Sequence, residues 1–191
     1  MSRYPLPGLG HNNGPTMERG FTYRKHQWKK AREALLPTLP LMVLKMRVKR
    51  AKELGLDYKT FAGVRASTGR DVIGFLFSSN ALRLQAVTLP EATASKVGAI
   101  QSAGKLALVH RPSEPKVVEA ANPALDVVAA APLFTDTWSE MRAKVHSVIQ
   151  SQRLPADGVL VIGSTSLERE WSVAARAAGY LPAERYFGDV R

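Results

Sequence analysis

The sequence predicts an α/β protein, with an N-terminal basic helical region of two to three helices followed by a small, mostly parallel sheet of three to four strands and its flanking helices, a Rossmann-like layer. Three observations lead there. Short β-branched and aromatic runs (VIGFLFSSN from Val72, KLALVH at 105–110, GVLVI at 158–162) alternate with amphipathic helical segments, the pattern of successive βαβ units. Before residue 70 the apolar residues instead recur at three- and four-residue spacing, as on helices. The charge is also divided: residues 1–90 hold 16 Lys and Arg against 5 Asp and Glu, whereas 91–191 hold 11 of each. The chain therefore reads as a flexible arm over 1–17, a basic helical region over 18–69 and an α/β domain over 70–191.

In the arm, Pro5, Gly8, Gly10, Gly14 and Pro15 with Asn12 and Asn13 break regular structure. Glu18–Leu36 reads as a helix, since Phe21, Trp28 and Leu35 fall seven apart and Pro37 ends it. A second helix over Leu41–Leu54 aligns Leu41, Leu44, Val48 and Ala51 in one stripe and stops at Gly55. Asp57 caps a third, Tyr58–Ser67.

The strand after Asp71 is followed by a helix over about Glu91–Ala103, the strand Lys105–His110 and a candidate strand Leu125–Ala130. A helix over Asp136–Gln150 places Trp138, Met141, Val145 and Val148 on one face, and Thr137 with Glu140 has the spacing of a capping box. The strand 158–162 runs into a helix from about Ser166 to Ala178, with a second capping-box pair at Thr165 and Glu168 and an inward face of Leu167, Trp171, Ala174 and Ala178.

Composition narrows the chemistry. No cysteine is present, so disulfides, thiol catalysis and cysteine-type zinc sites are excluded. The four histidines, His11, His26, His110 and His146, show no metal-binding spacing, and neither a metal nor a cofactor is expected. The opening MSRYPLPGLGHNNGP carries Gly and Pro where an export signal would carry an apolar core, which points to the cytoplasm, and no membrane partner is expected.

The strongest functional signal is the basic region. Between Arg19 and Lys52 there are eleven bases and one acid, Glu33. Phosphates attract Lys and Arg whatever the sequence, and interleaved aromatics such as Tyr23 and Trp28 can stack on bases. Arg24, Lys25, Lys29, Lys30, Lys45, Arg47, Lys49, Arg50 and Lys52 are the candidate contacts, and the expectation is a non-enzymatic protein associated with DNA or RNA. An acidic protein surface would suit the same charges. A helix-turn-helix over Tyr58–Leu76 is a weaker reading, because its recognition helix would offer Arg70 as its one base-reading side chain and expose Ile73.

A third reading is a Rossmann-like enzyme, intact or degenerate, that binds a phosphorylated small molecule. Ser78, Ser79 and Asn80 follow one strand, and Gly163, Ser164, Thr165 and Ser166 join another to its helix, where unpaired N–H groups can hold an anion. The same residue types are also ordinary helix caps. FLFSSN at 75–80 with VLVIGS at 159–164 resembles the phosphate-binding and distal motifs of haloacid-dehalogenase-type phosphatases. That resemblance would imply a strand-borne DxD pair for nucleophile and acid. The chain has no DxD, and Ser164 stands where the acid would fall, so it implies a fold without that catalysis. Glu168 and Glu170, two apart, read as a solvated helix face, and no Ser/His/Asp set follows from spacing.

Overall fold

A computed structural model of the protein describes residues 39–188, together with His26 and Gln27. The arm and nearly all of the predicted helix Glu18–Leu36, including Arg24, Lys25, Lys29 and Lys30, lie outside the described residues. The chain divides into two compact units, 1–41 and 42–191. The second contains the sheet.

Two helices come first, α1 (Leu41–Glu53) and α2 (Tyr58–Thr68), the latter capped by Asp57 and ended by Gly69 in the left-handed conformation at φ 71°. Then follow β1 (Gly74–Ser78), the one-turn α3 (Ser79–Leu82), α4 (Glu91–Gly98), β2 (Gly104–Val109), α5 (Pro115–Ala121) and β3 (Val127–Ala130). The chain continues through α6 (Trp138–Ser151), β4 (Val159–Gly163), α7 (Ser166–Ala174), β5 (Gly179–Pro182) and α8 (Ala183–Phe187). Because β1 begins at Gly74, where a recognition helix would run, the helix-turn-helix reading is excluded.

All five strands are parallel, in the order β3-β2-β1-β4-β5. The sequence reading of three to four strands missed β5, whose four residues GYLP carry Gly and Pro at either end and no β-branched side chain. Parallel strands need both faces covered, and the alternation of side chains along each strand builds two cores. Phe75, Phe77, Ala107, Val109, Leu160 and Ile162 pack on one side with Ala51, Leu54, Phe61, Val97, Val118 and Tyr186 from α1, its C-terminal turn, α2, α4, α5 and α8. Leu76, Leu106, Leu108, Val159 and Val161 pack on the other with Met141, Val145, Ile149, Trp171 and Ala174 from α6 and α7. The two basic helices α1 and α2 thus supply side chains to the same core as the sheet.

Two inward stripes need correction. In α1 only Ala51 is buried and Leu41 is 65% exposed; in α6 Met141, Val145 and Val148 are buried, but Trp138 is 50% exposed. Trp138 opens its helix ahead of the stripe that meets the sheet, whereas in α1 Leu44 and Val48 are only partly buried as well, so Ala51 is the one residue of that stripe in the core. Both capping boxes form as the spacing predicts, at Thr137/Glu140 and Thr165/Glu168.

Candidate functional site

The sheet order defines one special place. Strands β1, β2 and β3 progress in one direction, and the chain then crosses back to lay β4 on the other side of β1, so the connections leaving β1 and β4 diverge. In open parallel sheets such a reversal leaves a crevice at the carboxyl ends of the two strands. Here those ends are Ser78–Ser79–Asn80 and Gly163–Ser164–Thr165, the two segments the sequence marks for an anion.

The structure gives most of these groups an internal partner. Ser78 Oγ accepts from Ala81 N–H at 3.0 Å and caps α3, and Thr165 Oγ1 accepts from Glu168 N–H at 3.3 Å and caps α7. The N–H groups of Ser164 and Thr165, which a phosphate would need, donate to Oε2 of Glu168 at 2.6 and 3.0 Å. Ser164, Thr165 and Ser166 are themselves exposed, as is Asn80. The protein's own carboxylate thus fills the helix N-terminus, where the positive end of the peptide dipoles favours an anion.

Glu168 is the residue the sequence placed wrongly. Instead of a solvated face it occupies a site with no solvent exposure, because the capping-box reach turns it back under the β4–α7 turn. Its other oxygen, Oε1, accepts from Asn80 Nδ2 at 2.8 Å, which links the β1 and β4 ends. Gly163 is required here, since a Cβ would stand 2.9 Å from Glu168 Oε2 and 2.8 Å from the Tyr180 ring.

His110, just beyond β2, completes the cluster. Its Nδ1 lies 2.9 Å from Ser79 Oγ, its backbone N–H donates to the same oxygen at 3.1 Å, and its Nε2 lies 3.8 Å from Glu168 Oε1. The imidazole stacks on the buried ring of Trp171, centroids 5.5 Å apart. Trp171 Nε1 is buried with no hydrogen-bond partner among the described residues. From sequence Ser79 is a candidate for anion binding rather than for nucleophilic catalysis, and only the Thr165/Glu168 spacing signals that Glu168 turns inward.

Beside the cluster, the ends of β2 and β3 border a cleft of about 550 Å³ lined by Val109, Arg111, Ser113, Ala130, Leu133 and Lys144. Lys144 is held at 2.5 Å by Asp136, whose carboxyl it lowers below the usual range together with the N–H of Leu133. Among the described residues no group of three His, Asp or Glu is placed to hold a metal ion.

The second candidate surface is α1. It carries Lys45, Arg47, Lys49, Arg50 and Lys52 against one acid, Glu53. Lys45, Lys49 and Lys52 are exposed and recur at i, i+4 and i+7, on one side of the helix and flanking Leu44 and Val48. Lys49 approaches Glu53 at 3.9 Å with its own side chain 81% exposed, a contact of little energetic weight.

Arg50 belongs elsewhere. Its guanidinium donates to Asp71 Oδ2 (3.3 Å), Glu53 Oε2 (3.3 Å) and the carbonyls of Val72 (3.1 Å), Gln101 (3.2 Å) and Ser102 (3.0 Å), and its side chain is 18% exposed. Its donors are spent on holding α1 to the loops that precede β1 and β2.

By fold, the 42–191 unit is a doubly covered parallel α/β sheet with a polar cluster at its topological switch point and a basic helix on one face. The chain matches no family model, no curated protein sequence and no solved structure. Among the described residues no helix is long and apolar enough to cross a membrane.

Proposed function

We propose that the basic region binds the phosphate backbone of DNA or RNA, in the cytoplasm, and that binding rather than catalysis is the role of this surface. The observation that carries this reading is the exposed row of Lys45, Lys49 and Lys52 along α1. A row at i, i+4 and i+7 spans about 10 Å at 1.5 Å per residue, comparable to a few phosphate steps along one strand, so the three ammonium groups can engage one backbone together. Arg47 adds a fourth cation on the same helix, and Arg24, Lys25, Lys29 and Lys30 extend the set in sequence. Arg50 is left out because its donors are engaged internally.

A phosphorylated small molecule at the switch point is not favoured. The N–H groups it would use are taken by Glu168, and a carboxylate beneath the crevice repels a second anion.

Titrating a labelled duplex and a labelled single strand over a series of salt concentrations tests the reading. With about six phosphates contacted, log K falls against log[salt] with a slope near −5 on duplex DNA. Replacing Lys45, Lys49 and Lys52 with Ala together should lower that slope by roughly 2–3. Affinity that ignores salt, or none for either nucleic acid at low salt, rejects the proposal and leaves an acidic protein as the partner these charges suit.

A further inference from the structure

We propose that Ser79 is a nucleophile activated by His110 and positioned through Glu168, and that the switch point cleaves small uncharged acyl esters. This inference stands apart from the nucleic-acid reading, since the two use different residues and neither needs the other.

The geometry meets the first requirements of an activated hydroxyl. A serine is a weak nucleophile until a base within about 2.6–3.2 Å takes its proton, and that base works best when a third group orients it. Ser79 Oγ and His110 Nδ1 are 2.9 Å apart. The opposite ring nitrogen faces the Glu168 carboxylate at 3.8 Å, an ion-pair distance rather than a hydrogen bond. A carboxylate on the Nε2 side favours the tautomer with its proton there. That leaves the Nδ1 lone pair for the Ser79 hydroxyl. Compared with the familiar serine hydrolase arrangement the two ring nitrogens exchange roles, but the chemistry asked of each is unchanged.

The supporting contacts fix the imidazole in place. Trp171 stacks beneath it, and Asn80 and the Ser164 and Thr165 N–H groups hold Glu168, so the ring can lose little order when it changes protonation. Ser79 opens α3 directly after β1, a strand-to-helix corner at the carboxyl edge of the sheet where a substrate can approach. Ser79 is 8% exposed and the His110 side chain 28% exposed, so of the pair the histidine is the more open to solvent. Glu168 has no Lys or Arg partner among the described residues, which disfavours acidic substrates and fits an uncharged acyl group.

The step balances without another reagent. Ser79 Oγ bonds to the ester carbonyl carbon as its proton passes to His110 Nδ1; the carbon–oxygen bond to the alcohol then breaks, and the alcohol leaves with that proton. Water, deprotonated by the same nitrogen, cleaves the acyl-serine to the free acid and restores Ser79. Ser79 and His110 are catalytic residues in this scheme, and Glu168 is a positioning residue.

The test is covalent labelling of the full-length chain with a fluorophosphonate probe, the modified peptide being mapped by mass spectrometry and turnover followed with p-nitrophenyl acetate. The proposal expects one label per chain on Ser79, none on Ser79→Ala, and labelling of His110→Gln slowed roughly 100-fold, the size of a lost general base. Circular dichroism of His110→Gln establishes that the variant is folded. Folded wild-type protein that takes no label, takes it on another serine, or reacts equally fast as His110→Gln overturns the assignment. The unmodified chain alone thus suffices to reject it.

Discussion

Arg50 Nε donates to Asp71 Oδ2 at 3.3 Å, and the same guanidinium reaches the carbonyls of Val72, Gln101 and Ser102. One side chain on α1 therefore fixes the helix to the loops entering both central strands β1 and β2. Arg65 approaches the second Asp71 oxygen at 3.7 Å, so α2 shares the anchor. A base that the sequence places in a phosphate-binding row is, in the folded chain, an internal tie.

Arg50 and Lys49 should therefore respond oppositely to substitution. Arg50→Ala removes the donor from the part-buried Val72 carbonyl, from two exposed carbonyls that water can serve and from the partly exposed Asp71, for a loss of about 1–2 kcal/mol and a fall in Tm of roughly 2–8 °C in a chain of this size. Lys49→Ala should stay within about 0.5 kcal/mol of the parent in stability while weakening nucleic-acid binding. Thermal unfolding and a salt titration on both variants check this. Arg50→Lys should recover little, because an ammonium cannot reproduce the planar fork. An Arg50→Ala protein with unchanged Tm rules out the anchor.

At the switch point the critical pair is Gly163 and Glu168. Gly163→Ala puts a methyl group 2.9 Å from the Glu168 carboxylate and 2.8 Å from Tyr180, an overpacking worth about 1–3 kcal/mol. Glu168→Gln keeps the volume but turns an acceptor into a donor facing either Asn80 Nδ2 or the Ser164 and Thr165 N–H groups, costing about 2–3 kcal/mol. Urea unfolding measures both. A Glu168→Gln chain as stable as the parent would mean the network carries little of the fold.

Tyr186 offers a cleaner single-bond measurement. Its ring packs among Phe75, Phe77 and Lys96, its hydroxyl donates to Leu54 O at 3.1 Å, and burial pushes the phenol well above its ordinary range. Tyr186→Phe leaves the packing intact and the Leu54 carbonyl without that donor, for a loss of about 1–1.5 kcal/mol. Because the phenol stays protonated through the accessible range, the difference should not vary between pH 6 and 9. A pH-dependent difference over that window contradicts the assignment.

How far the sequence reveals this follows from the range of the interactions involved. Strands β1, β2 and β4 and helices α6 and α7 are legible because their signals are local: β-branched runs, apolar periodicity and two capping-box spacings. The segments that meet at the switch point were legible too, since Ser/Asn and Gly/Ser/Thr stretches after strands are where chain reversals occur. What joins them was not. Ser79, His110 and Glu168 are separated by 31 and 58 residues in the chain, and their meeting depends on the strand order, which local patterns do not encode. Arg50 fails for the same reason, because a lysine-rich neighbourhood looks uniform until Asp71 and the 101–102 carbonyls are placed beside one of its members.

Carboxylates held by caps and turns should contribute to the acid limb of stability. Asp57 is held below the usual carboxylate range, first by the Thr60 hydroxyl, then by the Thr60 N–H at 2.9 Å. Glu140 is lowered by the N–H and hydroxyl of Thr137, and Asp136 by Lys144 and the Leu133 N–H. Each is a carboxyl whose folded pKa lies below its unfolded one, so its contribution is complete above about pH 4 and is lost as the pH falls through the folded value. Asp57→Asn separates the cap from the charge. Asn caps a helix about as well as Asp, so stability at pH 7 should change by less than about 0.5 kcal/mol, whereas Asp57→Ala should lose about 1 kcal/mol. Between pH 4 and 2 the Asn variant should lose stability less steeply than the parent, because one carboxylate no longer has to be protonated. Urea midpoints across that range decide it: parallel acid limbs for parent and Asn variant would assign the loss to other groups.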